Sequence, residues 1–155
     1  MKSKASIAGH PVHSMLISFP IGLWITSFAA DVIFYFHREW TGLLFVSKVM
    51  IAAGCLGAVA AAIPGIIDWL SITNGAIKRI ANWHARLNII ALIVFAISLY
   101  FRMRAGTHWV NYRMRIPFLL SLLGVVLISI SSWLGGELTF KHGVGMASSS
   151  NDESS

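Results

Sequence analysis

The chain has 155 residues, 56% of them hydrophobic and 12% charged, with a formal charge of +6 and a mean hydropathy of +0.72. Soluble domains carry about 25% charged residues, so half of the usual polar surface is missing and a soluble catalytic domain is excluded. The single cysteine, Cys55, rules out a disulfide framework and a thiolate zinc site; inside its apolar run it reads as a small packing residue.

The first long apolar stretch, residues 14–36, follows His10-Pro11-Val12-His13. At ~1.5 Å per residue it crosses a ~30 Å hydrocarbon layer. It is too long for the apolar region of a cleaved signal peptide and reads as a retained anchor. Pro11 suits a first helical position, where its missing N–H costs nothing; Pro20 removes a backbone bond and predicts a kink. Ser18, Gly22, Thr26 and Ala29 or Ala30 fall on one face, which predicts close approach of another helix there.

A second crossing covers residues 43–67, with Gly54/Ala58 and Gly57/Ala61 as small-residue pairs and Pro64 set to bend its end. The third helix spans residues 77–101: its first turns are interfacial, and the crossing itself covers 84–101. His84, Asn88, Ala91, Phe95 and Ser98 share one of its faces. A fourth crossing covers 117–140, with Ser121, Gly124, Ser132 and Gly135 as its packing face. Trp40, Trp69, Trp83 and Trp109 fall near crossing ends, as an interfacial aromatic belt requires. The tail 147–155 is Ser-rich and expected to be disordered. No internal repeat is expected.

The fold class is therefore all-α: an integral membrane four-helix bundle over residues 1–146 with both termini on the same side. The Lys and Arg residues lie between the apolar segments, where lipid headgroups explain them and nucleic acid is not needed. They divide equally between the two sides, which leaves the orientation open.

This topology gathers His10, His13, Asp68, His84, Glu137 and His142 at the end of the bundle that bears the termini. His37 and His108 lie at the other surface as ordinary interfacial residues, and Asp31 approaches it as a cap or a partner of Arg38 or Lys48. Ionisable groups at membrane depth are costly unless paired or functional. Three chemistries suit the cluster. One is haem b, ligated by imidazoles from different helices, with His84 and any of His13, His142 or His10 as candidates. Asp68, Glu137 and Asn88 would then orient them. A second is a bare Zn, Fe or Cu ion held by His and a carboxylate, although no close His or Glu-x-x-His spacing marks it. A third is proton handling by Asp68, Glu137 and His84. Each residue also has a plainer role: a helix cap or headgroup contact for His10 and His142, an interhelical hydrogen bond for His84, and pairing with Arg86, Lys141 or a helix N-terminus for Asp68 and Glu137. No nucleophile elbow, phosphate loop, His-Glu-x-x-His or Cys-x-x-Cys-His is present, so whether the chain is an enzyme stays open.

His10-Pro11-Val12-His13 leading to Phe19-Pro20-Ile21-Gly22-Leu23-Trp24 resembles the opening of a bacterial family of small four-pass membrane proteins, catalogued as a domain of unknown function. Gly65-Ile66-Ile67-Asp68-Trp69, His84 with Asn88, Gly135-Gly136-Glu137-Leu138 and His142-Gly143-Val144-Gly145 continue the pattern. Ser14 departs from it, standing where a second proline often follows the second His. The resemblance implies a multi-pass protein of the bacterial inner membrane. Some members sit beside Rieske or cytochrome modules, which favours electron transfer. The family has no agreed catalytic residues to carry over.

The functional expectation is a redox-associated membrane subunit holding haem b or a redox metal. The alternatives are a non-catalytic subunit of a larger membrane complex and a small-solute or proton transporter. Its expected partners are the bilayer, another membrane or redox protein, and, in an oligomer, further copies of the chain.

Overall fold

The computed structural model describes residues 3–104 and 115–145; the expectations for His108, Trp109 and the tail 147–155 lie outside them. Among the described residues, four helical spans are long and apolar enough to cross a membrane: Val12–Phe36, Gly42–Ser71, Gly75–Arg104 and Arg115–Lys141. A short antiparallel hairpin, β1 (Ser6–Ile7) with β2 (His10–Pro11), precedes them. Its turn uses Ala8 and Gly9 at positive φ, the conformation that a two-residue hairpin connection requires.

The first span is broken as Pro20 predicts. α1 (Val12–Leu16) and α2 (Ser18–Phe36) meet at Ile17, because Pro20 has no N–H to bond the carbonyl of Leu16. α3 (Gly42–Ser71) carries Pro64 and continues through it. Asn74 starts α4 (Gly75–Arg104): its Oδ1 accepts the backbone N–H groups of Ala76 and Ile77 at 3.0 and 3.3 Å, satisfying two donors the first turn leaves open. α5 (Arg115–Gly136) ends in a π-helical turn, Glu137–Lys141. The chain then returns toward Pro11, which lies beside Gly145. Both described termini therefore sit at one end of the bundle.

Large apolar side chains such as Phe19, Leu56, Ile93, Leu119 and Trp133 point outward, as lipid contact requires. The interior holds Trp24, Ile51, Ala91, Phe95 and Ile128, together with buried serines 27, 47, 98, 121 and 131. Without a hydrophobic drive between helices in lipid, such small and polar residues supply close contact and hydrogen bonds.

The expectation of no internal repeat is overturned. The α1/α2–α3 hairpin and the α4–α5 hairpin repeat one another, and residues 71 apart meet across the centre. His13 faces His84 with ring centroids 6.3 Å apart, Trp24 stacks on Phe95 at 4.3 Å, and Asp31 pairs with Arg102. Within each hairpin the same contacts recur. His13 and His84 bond the carbonyls of Ala61 and Ser131, both at 2.8 Å. Ser27 and Ser98 bond those of Ser47 and Pro117 at 3.1 and 3.2 Å. Gly54 and Gly124 lie under Trp24 and Phe95. The inward contacts are thus related by a pseudo-twofold axis that runs along the bundle, the relation of parallel repeats. The likeness escapes the sequence because it lies in a few inward positions, while lipid-facing residues need only be apolar.

Two packing faces also differ from expectation. On α2, Ser18, Gly22 and Thr26 face outward, and the buried face is Trp24, Ser27, Ala30, Asp31 and Phe34, because the aromatic and charged residues claim the axis. On α5, Ser131 is buried and Ser132 exposed, since Ser131 is the residue that reaches His84.

Candidate functional site

The axis carries a polar centre at each end. At the end away from the termini, the Arg102 guanidinium is buried against an equally buried Asp31. Nη1 donates to Asp31 Oδ1 and Ser47 Oγ, both at 2.9 Å. Nη2 donates to Asp31 Oδ2 at 2.5 Å and Ser121 Oγ at 3.2 Å, and Nε donates to Ser98 Oγ at 3.3 Å. These are all five donors a guanidinium has. Ser47 gives its hydroxyl hydrogen to Asp31 Oδ1 at 2.7 Å, so the single Ser27 hydrogen is shared between Ser47 Oγ at 2.8 Å and the Ser47 carbonyl at 3.1 Å. A bidentate pair with every donor placed is the form in which buried charge is tolerated. It is a clasp that leaves the guanidinium no donor free for a solute. Asp31 therefore pairs with Arg102, not with Arg38 or Lys48 as expected; Arg38 instead lies over the Phe34 and Tyr35 rings.

At the terminus-bearing end, α1 supplies His13 and α4 supplies His84. Both Nδ1 atoms face backbone carbonyls, Ala61 and Ser131. A carbonyl only accepts, so each Nδ1 carries the proton and each Nε2 the lone pair. The two imidazoles are accommodated by glycines one helical turn beyond the bonded carbonyls. A Cβ on Gly65 would stand 2.7 Å from His13 Nδ1, and one on Gly135 would stand 3.0 Å from His84 Cε1. The ring lies where a side chain would be, so the residue must be glycine. Ser131 also donates its hydroxyl to the carbonyl of His84 at 3.2 Å. Asn88 Nδ2 donates to His84 Nε2 at 3.0 Å.

The other expected site residues are placed elsewhere. His10 is exposed, with Nδ1 donating to the carbonyl of Ala8 at 3.0 Å. His142 is exposed at the close of the π-helical turn. Neither joins the His13–His84 pair. Glu137 pairs with Lys141 at 3.3 Å, as expected for an interfacial carboxylate. Asp68 does not pair with Arg86 or Lys141. It accepts Ser3 Oγ at 2.8 and 2.9 Å and the backbone N–H groups of Lys4 and Ala5 at 2.9 and 3.1 Å. It is thus the latch of the N-terminal strand segment, and carboxylates suit such backbone donors. Among the described residues no group of three or more His, Cys, Asp or Glu is arranged to hold a metal ion.

Arg102, Ser47 and Ser131 were not singled out from the sequence, and Trp24 only as part of a motif. Their one available signal was spacing: His13, Trp24 and Asp31 recur 71 residues on as His84, Phe95 and Arg102.

The motifs that resembled a family in the sequence are the ones that build this axis. His13 and Trp24 come from the opening motif, Gly65 and Asp68 from the second, His84 and Asn88 from the third, and Gly135 from the fourth. The family model described as "Predicted membrane protein (DUF2231)" matches residues 9–148. The chain belongs to that family. Its match runs from just before His10 to just past Gly145 and so takes in both hairpins. No curated protein and no solved structure matches significantly.

Proposed function

We propose that this member of the family is an electron-carrying subunit of the bacterial inner membrane that holds a haem b between His13 and His84. The observation that supports it is the pair itself. Two imidazoles arrive from different hairpins with ring centroids 6.3 Å apart, and both have Nδ1 committed to a carbonyl. That separation is close enough for one metal centre to be held by both rings, should each offer it a nitrogen. Metal-ligating histidines characteristically place the opposite ring N–H on a carbonyl or carboxylate. A haem brings its own four nitrogens and asks the protein for two more ligands, which is the donor set these residues offer.

The chain's own residues have defined tasks in this reading. Ala61 and Ser131 fix ring orientation and tautomer, Gly65 and Gly135 make room for the rings, and the Trp24–Phe95 stack closes the axis farther in. A haem held by His13 and His84 would supply one-electron chemistry, with a potential tuned by the apolar surroundings.

A second reading, a non-catalytic subunit of a larger complex, is favoured by the outward Ser18–Gly22–Thr26 stripe, where nothing lies within 4 Å of a Cβ built on Gly22. The two readings are compatible.

The test is an absorption spectrum of the detergent-purified protein, as isolated and after titration with haemin, before and after dithionite. A Soret band with sharp reduced α and β bands, lost in both His13→Ala and His84→Ala, is expected. Protein that stays colourless and takes up no haemin overturns the proposal.

A further inference from the structure

Across the pseudo-twofold axis the two imidazoles share the bond from Nδ1 to a carbonyl, but His84 has two contacts without a counterpart at His13: the Ser131 hydroxyl, where the first hairpin has Ala61, and Asn88, which alone of the two meets Nε2. The His84 lone pair, on Nε2, accepts a hydrogen bond from Asn88 Nδ2 at 3.0 Å. Seventy-one residues earlier, the offset at which the hairpins correspond, the chain has Ile17, which lies at the break between α1 and α2 and has no side-chain donor. In the neutral imidazole the direction of the Asn88 bond follows: the Nδ1 proton of His84 is spent on Ser131, so Nε2 accepts and the amide nitrogen faces it.

We infer that Asn88 makes His84 the exchangeable imidazole of the pair. Its amide holds the ligating nitrogen, and any metal centre that takes His84 must first displace it. His13 is the committed ligand. This rests on the haem reading for the identity of the metal centre. A neutral hydrogen bond of this kind contributes modestly on balance, and its loss to a competing ligand weakens binding about threefold to tenfold. Asn88 is half-buried at membrane depth, where the displaced amide finds little water, so the upper part of that range is expected.

The test uses the full chain in lipid nanodiscs with ¹⁵N-labelled histidine. Without haemin, Asn88→Leu is expected to move the Nε2 resonance of His84 and leave that of His13 in place; Asn88→Ala serves as the second variant should Leu disturb packing. On haemin titration, both variants are expected to bind about threefold to tenfold tighter than wild type. An unmoved His84 resonance, or unchanged affinity in a protein that does bind haemin, overturns the assignment of Asn88 alone. Failure of every form to bind haemin overturns the haem reading and the exchange proposal with it.

Discussion

Gly54 lies against Trp24 so closely that a Cβ at this position would stand 2.6 Å from both Cδ1 and Nε1 of the indole. The indole cannot retreat, because its other face is stacked on Phe95 at 4.3 Å. Gly54→Ala is therefore expected to destabilise the bundle by about 1–3 kcal/mol, the usual cost of overpacking. Thermal unfolding in a mild detergent measures it.

Trp24 itself offers a less obvious prediction. Its buried Nε1 meets no oxygen or nitrogen acceptor and has only the weakly accepting Cys55 sulfur beside it, a burden toward the low end of the ~1–3 kcal/mol that an unsatisfied donor costs. Phe occupies the corresponding place in the other hairpin. Trp24→Phe removes the poorly satisfied N–H and some packing together, so its stability is expected to stay within about 1 kcal/mol of wild type. Gly54→Ala should be better tolerated in that background, a coupling that a double-mutant cycle reads directly.

For the charge clasp, Asp31→Ala leaves Arg102 buried among three serine hydroxyls with no counter-charge. It is expected to cost about 3–5 kcal/mol, whereas Asp31→Leu with Arg102→Met returns most of that loss. If the double variant is no more stable than the single, the clasp is not the source of the effect. Resistance to unfolding by SDS is a suitable measure.

The bundle was legible from the sequence because crossing a membrane demands long apolar runs, which composition cannot hide. The seam of α4 was legible for the same reason of periodicity: His84, Asn88, Ala91, Phe95 and Ser98 do share the inward face. The axis was not. Arg102 sits where a basic residue at a membrane edge is ordinary, and only the presence of Asp31, far away in the chain, turns it inward. Likewise the Ser18–Gly22–Thr26 spacing is a fair signal for helix contact, but it competes with an opposite face carrying Trp24 and Asp31, which bury more area and more charge. Of the candidate site, the pairing of His84 with His13 was among the readings the sequence allowed. That His10 and His142 stand apart from this pair depends on where the hairpin turn and the π-helical turn point them.

Gly65→Ala tests how tightly the imidazole is seated. A methyl group 2.7 Å from His13 Nδ1 must push the ring off the carbonyl of Ala61. The variant is expected to lose that hydrogen bond, seen as a moved Nδ1 resonance, while His84 stays unchanged.

Asp68→Ala removes the acceptor for Ser3, Lys4 and Ala5. Faster amide exchange and proteolysis at the N-terminal segment are expected, with bundle unfolding shifted by less than about 1 kcal/mol because the helices themselves do not use this contact.

Acid on one arm and base on the other also decide what the molecule can be built from. Two copies of the first arm, joined as the two arms are now, would bring carboxylate against carboxylate in an oily interior; two copies of the second would do the same with guanidinium. Either arrangement repels strongly where water cannot screen it. A chain once divided into a matched acid and base has therefore lost the freedom to assemble from identical halves, and must carry both in one polypeptide or find each arm its opposite.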